Sequence, residues 1–277
     1  MKQSELFPHS FTALRRSLGL GGPHKPLIAQ MRSNASAFCR ALVVAGLLTD
    51  EQMRRAADHY RLGMNREGGV IFWQIDEHGC LRDGKLMHYR PDCHRDHDRH
   101  PTWVSSILKR LGQLPEAFNP ERCLFGLHLL AGDGEGSPVA ERCCSATSKD
   151  DGVPYLQMHS TAKHGCTTAM NRPIAVVESE KTAVILSEAM PQYIWLAAGG
   201  LSMLSAEKLL PLQGRRVVLF PDTDPDGKAY AAWLRVAEEA SERMQQPIHV
   251  SRLLEDHATD AQKAAKIDIA DFLFCSP

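Results

Sequence analysis

Carboxylates that follow two apolar segments are the residues of this chain best suited to chemistry. Glu178 directly follows the apolar run at 174–177, and Asp222 and Asp224 follow the predicted strand at 215–220, which is apolar from residue 217 onward. Each acidic turn leads into a helical pattern. We therefore expect all three carboxylates at the carboxyl ends of parallel strands, where an open α/β sheet places its ligand. Oxygen donors without cysteine or histidine among them favour Mg²⁺ (or Mn²⁺) and phosphate chemistry.

Two lysines begin the helical segments after these turns. Lys181 and Lys228 could each contact a phosphate, and the N-termini of the same helices favour anions. Glu178 could bind a metal or act as a general base. Acidic turns after strands are common, however, so the same carboxylates could be loop residues without a chemical role.

Other acidic residues near these segments have simpler interpretations. We expect Glu180 to face solvent, with a secondary metal role as the alternative. Asp226 is placed to cap the following helix. Asp268 and Asp271 are typical of structural acids in a loop and a helix.

The elements that must position the carboxylates alternate regularly over residues 174–277. The predicted strands are 174–177, 193–197, 215–220 and 248–253, and the predicted helices are 181–190, 205–210 and 228–244. Strands that alternate with helices favour a parallel, doubly wound sheet flanked by helices. The fold class is therefore α/β in this half of the chain.

The first half has a different pattern. Residues 35–130 predict a smaller α+β N-terminal domain, with helices at 35–48, from 50 onward and at 103–111. Strands at 69–76 and 81–89 flank the turn at 77–79, which indicates a β-hairpin. Residues 1–34 predict a loose or extended arm. Residues 131–173 lose apolar periodicity and predict a flexible insertion.

The composition limits the function classes. The chain has 277 residues, 43% of them hydrophobic, and a formal net charge of -1. This charge argues against a strongly cationic nucleic-acid coat, but it allows a local basic groove. The absence of a long apolar run and of a signal-peptide pattern predicts a cytoplasmic protein without a membrane partner. The eight cysteines form no CxxC pair, so we expect mostly free thiols and no zinc ribbon.

The order of motifs in the second half resembles the Toprim domain, the metal-binding catalytic module of DnaG-type bacterial primases, topoisomerases and several nucleases. Glu178 matches the single glutamate of that family, and Asp222 and Asp224 match its DxD pair. The resemblance implies that these three carboxylates are catalytic and bind Mg²⁺. The residues that it implies for substrate or cofactor binding are Lys181, Gly199, Gly200 and Lys228.

Weaker resemblances lie outside this motif. The segment at 266–273 is similar to a late primase loop, which adds Asp268 as a metal candidate, and the segment at 124–128 resembles a short helix before the primase core. The N-terminal half, including the segment at 72–92, resembles an uncharacterised family of bacterial mobile-element proteins. Ser179 departs from the Toprim pattern, because primases usually carry glycine after the glutamate. Pro221, which precedes the DxD pair, is a second departure.

This resemblance implies a nucleic-acid protein with Mg²⁺-dependent, primase-like nucleotidyl transfer in DNA replication. Its expected partners are single-stranded DNA and a helicase or another replication protein. A Toprim-type nuclease is an alternative within the same class. A non-catalytic DNA- or partner-binding factor of a mobile element is another, and a nucleotide-binding α/β protein unrelated to nucleic acid is a third.

Three further groups of residues have both a functional and a simpler interpretation. The cluster at 93–100 has zinc-ligand types but irregular spacing, which favours a polar loop. Trp73, Tyr89 and Trp103 could stack on bases, but core packing is favoured. The basic residues Arg82, Lys85, Arg90, Lys109 and Arg110 could line a nucleic-acid groove, but acids are mixed among them, which favours a solvated face.

Overall fold

A computed structural model describes residues 32–114, 116, 118–132 and 172–274. The predicted arm at 1–34 lies outside these residues except for its last three positions. The predicted insertion at 131–173 also lies outside them, apart from two residues at each end.

The N-terminal half is built on an antiparallel sheet. Its strands are β1 (Gly63–Met64), β2 (Val70–Ile75), β3 (Leu81–Met87) and β4 (Thr102–Trp103), in the order β1-β2-β3-β4. The predicted hairpin is confirmed as β2 and β3, whose pairing joins Val70 to Met87.

Three helices belong to this half of the chain. They are α1 (Ala37–Val44), α2 (Asp50–His59) and α3 (Val104–Arg110), close to the predicted positions. Helix α2 begins at a capping box, in which Thr49 and Gln52 satisfy each other's backbone N–H groups. A 3₁₀ helix at Leu127–Gly132 ends the described part of this half.

The C-terminal half is a parallel sheet with flanking helices, as the alternating pattern predicts. Its strands are β5 (Ile174–Val177), β6 (Ile194–Ala197), β7 (Val217–Phe220) and β8 (Ile248–Val250), in the order β6-β5-β7-β8. Helix α4 (Glu180–Ala189) follows β5, α5 (Ala206–Leu209) follows β6, and α6 (Lys228–Met244) follows β7. The chain continues with α7 (Leu253–His257), α8 (Asp260–Ala265) and α9 (Ile269–Phe274).

A single hydrophobic cluster joins the two halves. It contains Phe38 and Phe72 from the first half together with Trp195 and Phe220 from the second. A short antiparallel bridge pairs Phe125 with Ala197 at the free edge of β6. The second half of the chain therefore packs against the first along β6.

The aromatic residues of the hairpin region are mostly core residues. Trp73 is fully buried and Tyr89 is nearly so, which confirms that they pack inside the protein. Trp103 is half-buried, and the Arg122 guanidinium lies 3.9 Å from its ring centroid. Trp73 crowds Gly84, since a Cβ at Gly84 would lie 2.6 Å from the Trp73 ring.

Removing the Tyr60 hydroxyl should weaken the packing between the two halves of the chain. The Tyr60 hydroxyl donates to the Trp195 carbonyl oxygen at 2.8 Å, inside the shared core. We expect Tyr60→Phe to lower the free energy of unfolding by about 1–1.5 kcal/mol, because it leaves a buried carbonyl without this donor. Urea unfolding measures the change.

Tyr89→Phe is the matched control. Its hydroxyl is also buried, but its hydrogen-bond partner among the described residues is the Met87 sulfur, a weak acceptor at 4.0 Å, so its loss should change stability little. Equal effects of the two substitutions would contradict the assigned role of Tyr60.

No helix within the described residues is both long and apolar enough to cross a bilayer.

Candidate acidic site

Glu178 and Asp222 lie side by side at the carboxyl edge of the parallel sheet. We call this part of the sheet the acidic edge. The register of β5 and β7 pairs Val177 with Phe220, so the residues after these strands begin next to each other. The backbone N–H of Asp222 donates to Glu178 Oε1 at 3.3 Å. Glu178 is buried and the Asp222 side chain is half-buried. The structure therefore brings together two of the predicted carboxylates.

Burial and mutual repulsion raise the pKa values of both carboxyl groups. Burial raises the pKa of Glu178 to about 7, and Asp224 and Asp268 add to the shift. The pKa of Asp222 is also raised, first by burial and then by Glu178 and Asp268, while Lys181 opposes the shift. Carboxylates held together in this way favour a bound proton or a bound cation.

Asp268 supports this edge from a buried position. The Thr182 hydroxyl of α4 donates to Asp268 Oδ2, and the Asp271 backbone N–H donates to Asp268 Oδ1 at 2.8 Å. The Thr223 backbone N–H reaches the Ile267 carbonyl oxygen at 3.1 Å. Asp268 therefore ties the loop before α9 to α4. This agrees with the expectation that Asp268 is a structural acid. Its predicted role as a metal ligand stays a prediction.

Asp224 caps α6 with its carboxylate. Its Oδ1 accepts hydrogen bonds from the backbone N–H groups of Asp226 and Lys228, and its Oδ2 accepts one from Ala229 at 2.7 Å. These bonds lower the pKa of Asp224 despite the opposing effect of its partial burial. The expectation that Asp226 would cap the helix is wrong, because the turn geometry presents Asp224 to the first N–H groups instead.

The two predicted phosphate-binding lysines have different surroundings. Lys181 lies in the first turn of α4, where Ser179 accepts its backbone N–H, and it is half-buried near Asp222. Lys228 is exposed, and its ammonium group pairs with Asp226. Lys181 is therefore the lysine that the structure places close to the acidic pair.

Glu180 is almost completely buried, so the expectation of a solvent-facing acid is wrong. Its carboxylate lies 3.1 Å from the Lys85 ammonium group, which also donates to the Gly199 carbonyl oxygen at 2.7 Å. Lys85 comes from β3 and is itself buried. A buried acid at this position is stable because a buried cation from the other half of the chain compensates it.

The glycine turn after β6 fits closely around this ion pair. Gly199 has a φ of +93°, and a Cβ there would lie 3.3 Å from Glu180 Oε1. Its backbone N–H donates to the Glu178 carbonyl oxygen at 2.9 Å, and Gly200 follows it. The turn therefore fixes the backbone of Glu178 at the acidic edge. The role of Gly199 and Gly200 in binding a substrate or cofactor stays a prediction.

The basic residues proposed for a nucleic-acid groove do not form a single face. Lys85 is buried, which corrects the expectation of a solvated side chain there. Arg82 pairs with Asp76 at 2.7 Å and with Glu121 at 2.9 Å. Arg90, Lys109 and Arg110 are exposed or half-buried on other segments.

The loop after β3 reaches toward the acidic edge. Burial raises the pKa of the Cys93 thiol, with nearby Lys181 opposing the shift, and His94 lies close enough to Asp271 to lower its pKa against the effect of burial. The loop is held by turns, including the Arg90 backbone N–H to the His94 carbonyl oxygen at 2.9 Å. This is the polar loop that the irregular spacing of the cluster at 93–100 favours.

The donor chemistry at the acidic edge fits Mg²⁺ or Mn²⁺ as a partly hydrated ion. Within the ranges that the structure describes, no three His, Cys, Asp or Glu side chains are grouped to hold a metal ion. Mg²⁺ is commonly bound through one or two carboxylates, with waters and substrate phosphates as the other ligands. Glu178 and Asp222 can supply such a pair.

Sequence reasoning missed the buried Lys85–Glu180 pair and its place behind the site. Lys85 lies on the same face of β3 as the core residue Met87, and it pairs across the hairpin with the buried Phe72. A lysine on the buried face of a strand is a signal that a compensating acid exists. The sequence does not say which acid, because the partner lies 95 residues away.

The fold and this edge define an α/β protein with a buried glutamate beside a half-buried aspartate at the ends of two parallel strands. The model of a family described as a domain of unknown function, DUF6371, matches residues 36–141 and 162–223. This match covers more than half of the chain, and the chain therefore belongs to that family. No curated protein and no solved structure matches the chain.

The family match spans both halves of the fold. It includes Lys85, Glu178, Glu180 and Asp222, and it ends at residue 223, before Asp224 and Asp268. The hairpin and the first part of the acidic edge thus belong to one family domain. The family's description states no activity.

Proposed function

We propose that this protein is a Toprim-like enzyme that uses Glu178 and Asp222 in Mg²⁺-dependent nucleotidyl transfer on nucleic acid, with single-stranded DNA as the template. The observation that carries the proposal is the burial of Glu178 beside Asp222 at the carboxyl edge of a parallel sheet, with the pKa values of both groups raised. Perturbed acids of this kind cluster at functional sites. The order of strand, glutamate, helix, glycine turn and DxD supports the Toprim assignment.

The chain's own residues have distinct roles in this proposal. Glu178 and Asp222 would hold the ion through carboxylate oxygens, and a bound Mg²⁺ would offset charge that develops on phosphoryl oxygens. Lys181, near Asp222 in the first turn of α4, would contact a phosphate of the incoming nucleotide. Asp224 and Asp268 would keep the two surrounding loops in place through their backbone hydrogen bonds.

Primer synthesis is the direct test. Purified protein is incubated with single-stranded DNA, nucleoside triphosphates and Mg²⁺, and the labelled products are separated by length. We expect Asp222→Asn and Glu178→Gln each to lower the rate by at least about 100-fold, because each removes one charged oxygen donor from the site. Glu207→Gln is the control, since Glu207 is an exposed acid that pairs with Arg243 away from this edge.

The length of the products distinguishes nucleotidyl transfer from nuclease activity. Extended products indicate nucleotidyl transfer, whereas Mg²⁺-dependent shortening of the DNA, lost in the same two variants, indicates the nuclease. Activity that survives both substitutions would contradict the site.

A non-catalytic nucleic-acid-binding factor is the second candidate. Two observations favour it: the Asp224 carboxylate accepts three backbone hydrogen bonds at the start of α6, and no group of three metal-binding side chains forms in the described ranges. DNA binding that is unchanged by Mg²⁺ and by both site variants, with no product formed, would support this function.

A further inference from the structure

A cavity in the N-terminal half is lined mainly by cationic and donor groups. It has a volume of about 320 Å³ and lies between the β1–β2 turn, the end of β3 and helix α3. Arg99, Arg110, His88 and His100 line it, with Glu67 as the single acid. This cavity shares no lining residue with the acidic edge.

Asn65, which lines this cavity, carries a buried donor that has no partner among the described residues. Asn65 is only 2% exposed, and its Oδ1 accepts hydrogen bonds from the backbone N–H groups of Gly69 at 2.7 Å and Glu67 at 3.2 Å. These bonds fix the amide, so that Nδ2 is the free end, and Nδ2 is buried without a hydrogen-bond acceptor. A buried donor without an acceptor is destabilising, so an acceptor on a ligand that reached it would be favourable.

The charged groups leave the cavity with unused positive charge. Arg99 lies 3.7 Å from Glu67 and 3.8 Å from Asp96, and it shares a 3.2 Å contact with His88 Nδ1. These long ion pairs leave guanidinium donors available. Arg110 is exposed at the end of α3 and forms no ion pair among the described residues.

We propose that this cavity binds a phosphate group carried on a nucleotide or on a nucleic-acid strand. Two guanidinium groups and an amide donor match the several oxygens of a phosphate, which arginine binds in a bidentate manner. The cavity is larger than a phosphate ion, and Leu86 and Ile107 supply an apolar wall against which an attached sugar or base can pack.

The cavity and the acidic edge meet the same loop from two sides. Cys93 belongs to the shared core near Lys181, whereas Arg99 and His100 line the cavity. The proposal does not depend on catalysis at the acidic edge, because none of its residues is a carboxylate of that edge.

Binding of three probes tests the proposal. Adenosine 5′-monophosphate, adenosine and a single-stranded oligonucleotide are titrated calorimetrically into the full chain in the presence of EDTA. We expect the monophosphate or the oligonucleotide to bind and adenosine not to bind. Arg110→Gln should weaken that binding about tenfold or more, because it removes a charged donor from an exposed position without affecting the core.

Asn65→Asp is the second variant. It preserves the acceptor for Gly69 and Glu67 but replaces the free donor with an oxygen, so it should also weaken binding about tenfold or more. Arg54→Gln is the control, since Arg54 is an exposed arginine on α2 whose ion pair with Asp58 is 4.0 Å long.

The outcomes are distinct. Binding of the monophosphate that depends on Arg110 supports a nucleotide as the source of the phosphate, and such binding of the oligonucleotide alone supports the nucleic-acid backbone. Absence of binding by both probes, or an equal loss in Arg54→Gln and Arg110→Gln, would overturn the proposal. EDTA removes divalent ions, so failure of the acidic site leaves this result unaffected.

Discussion

Lys85→Met is expected to lower the free energy of unfolding by about 3–5 kcal/mol, because it leaves Glu180 as an uncompensated buried charge. The two charged groups lie 3.1 Å apart, and their side chains are 10% and 3% exposed. The substitution also removes the donor to the Gly199 carbonyl oxygen. The pair joins β3 to the first turn of α4, so its loss should weaken the contact between the two halves. Urea unfolding at neutral pH measures the effect.

A double variant separates the buried charge from lost packing. Lys85→Met combined with Glu180→Gln removes both charges, and we expect it to recover more than half of the lost stability. Arg243→Met is the control for an exposed pair with Glu207, and it should change the free energy of unfolding far less than Lys85→Met does, because exposed ion pairs contribute little to stability. If Lys85→Met costs no more than this control, the ion pair does not hold the halves together.

Lys85→Met should also change the position of Glu178 at the acidic edge. Glu180 directly follows the turn that carries Glu178, and the Gly199 backbone N–H binds the Glu178 carbonyl oxygen. Movement of Gly199 or Glu180 would therefore displace Glu178. Any effect of the ion pair on the site would therefore pass through the backbone.

The parallel half of the fold could be predicted because each element carries its own signal. The strands at 174–177 and 217–220 are short apolar runs, and α6 begins and ends at the predicted residues 228 and 244. The placement of Glu178 beside Asp222 follows from the rule that parallel strands end at one edge.

Long-range partners could not be predicted in this way. The pairing of Lys85 with Glu180 and that of Arg55 with Glu188 join residues more than 90 positions apart. The choice of Asp224 over Asp226 as the cap depends on the left-handed conformation of Gly227, with a φ of +65°. Two acids at this spacing look equivalent in sequence, and only the path of the turn distinguishes them.

Glu178→Gln is expected to stabilise the metal-free protein near pH 8. Burial, with Asp224 and Asp268 nearby, raises the pKa of Glu178 from 4.5 to about 7. The folded state therefore binds this proton more tightly than the unfolded state. The resulting stability is fully present below about pH 4.5 and is lost as the pH rises through about 7.

The expected gain is on the order of 1–3 kcal/mol in the free energy of unfolding near pH 8, because glutamine carries no charge to desolvate. Glutamine also retains an oxygen that can accept the Asp222 backbone N–H. The measurement is urea unfolding in EDTA at several pH values, in which the fall in stability toward pH 8 should be smaller for the variant. Its stabilising effect is typical of a site where charge is retained for function.

Glu207→Gln is the control, because the pKa of Glu207 is lowered whereas that of Glu178 is raised. Arg243 lowers the pKa of Glu207 to about 2, so the loss of this acid should leave the fall in stability near pH 7 unchanged. A Glu178→Gln protein that is less stable than the wild type near pH 8 would contradict the assignment of Glu178 as a repelled, buried acid.

The most direct test of the proposed site is calorimetric titration of the full chain with Mn²⁺ near pH 8, where the acidic pair is ionised more fully. The account predicts saturable binding that Asp222→Asn and Glu178→Gln each abolish and that the exposed control Asp226→Asn preserves. Wild-type protein that binds no Mn²⁺, or that binds it as both site variants do, would contradict the claim that Glu178 and Asp222 hold a divalent cation.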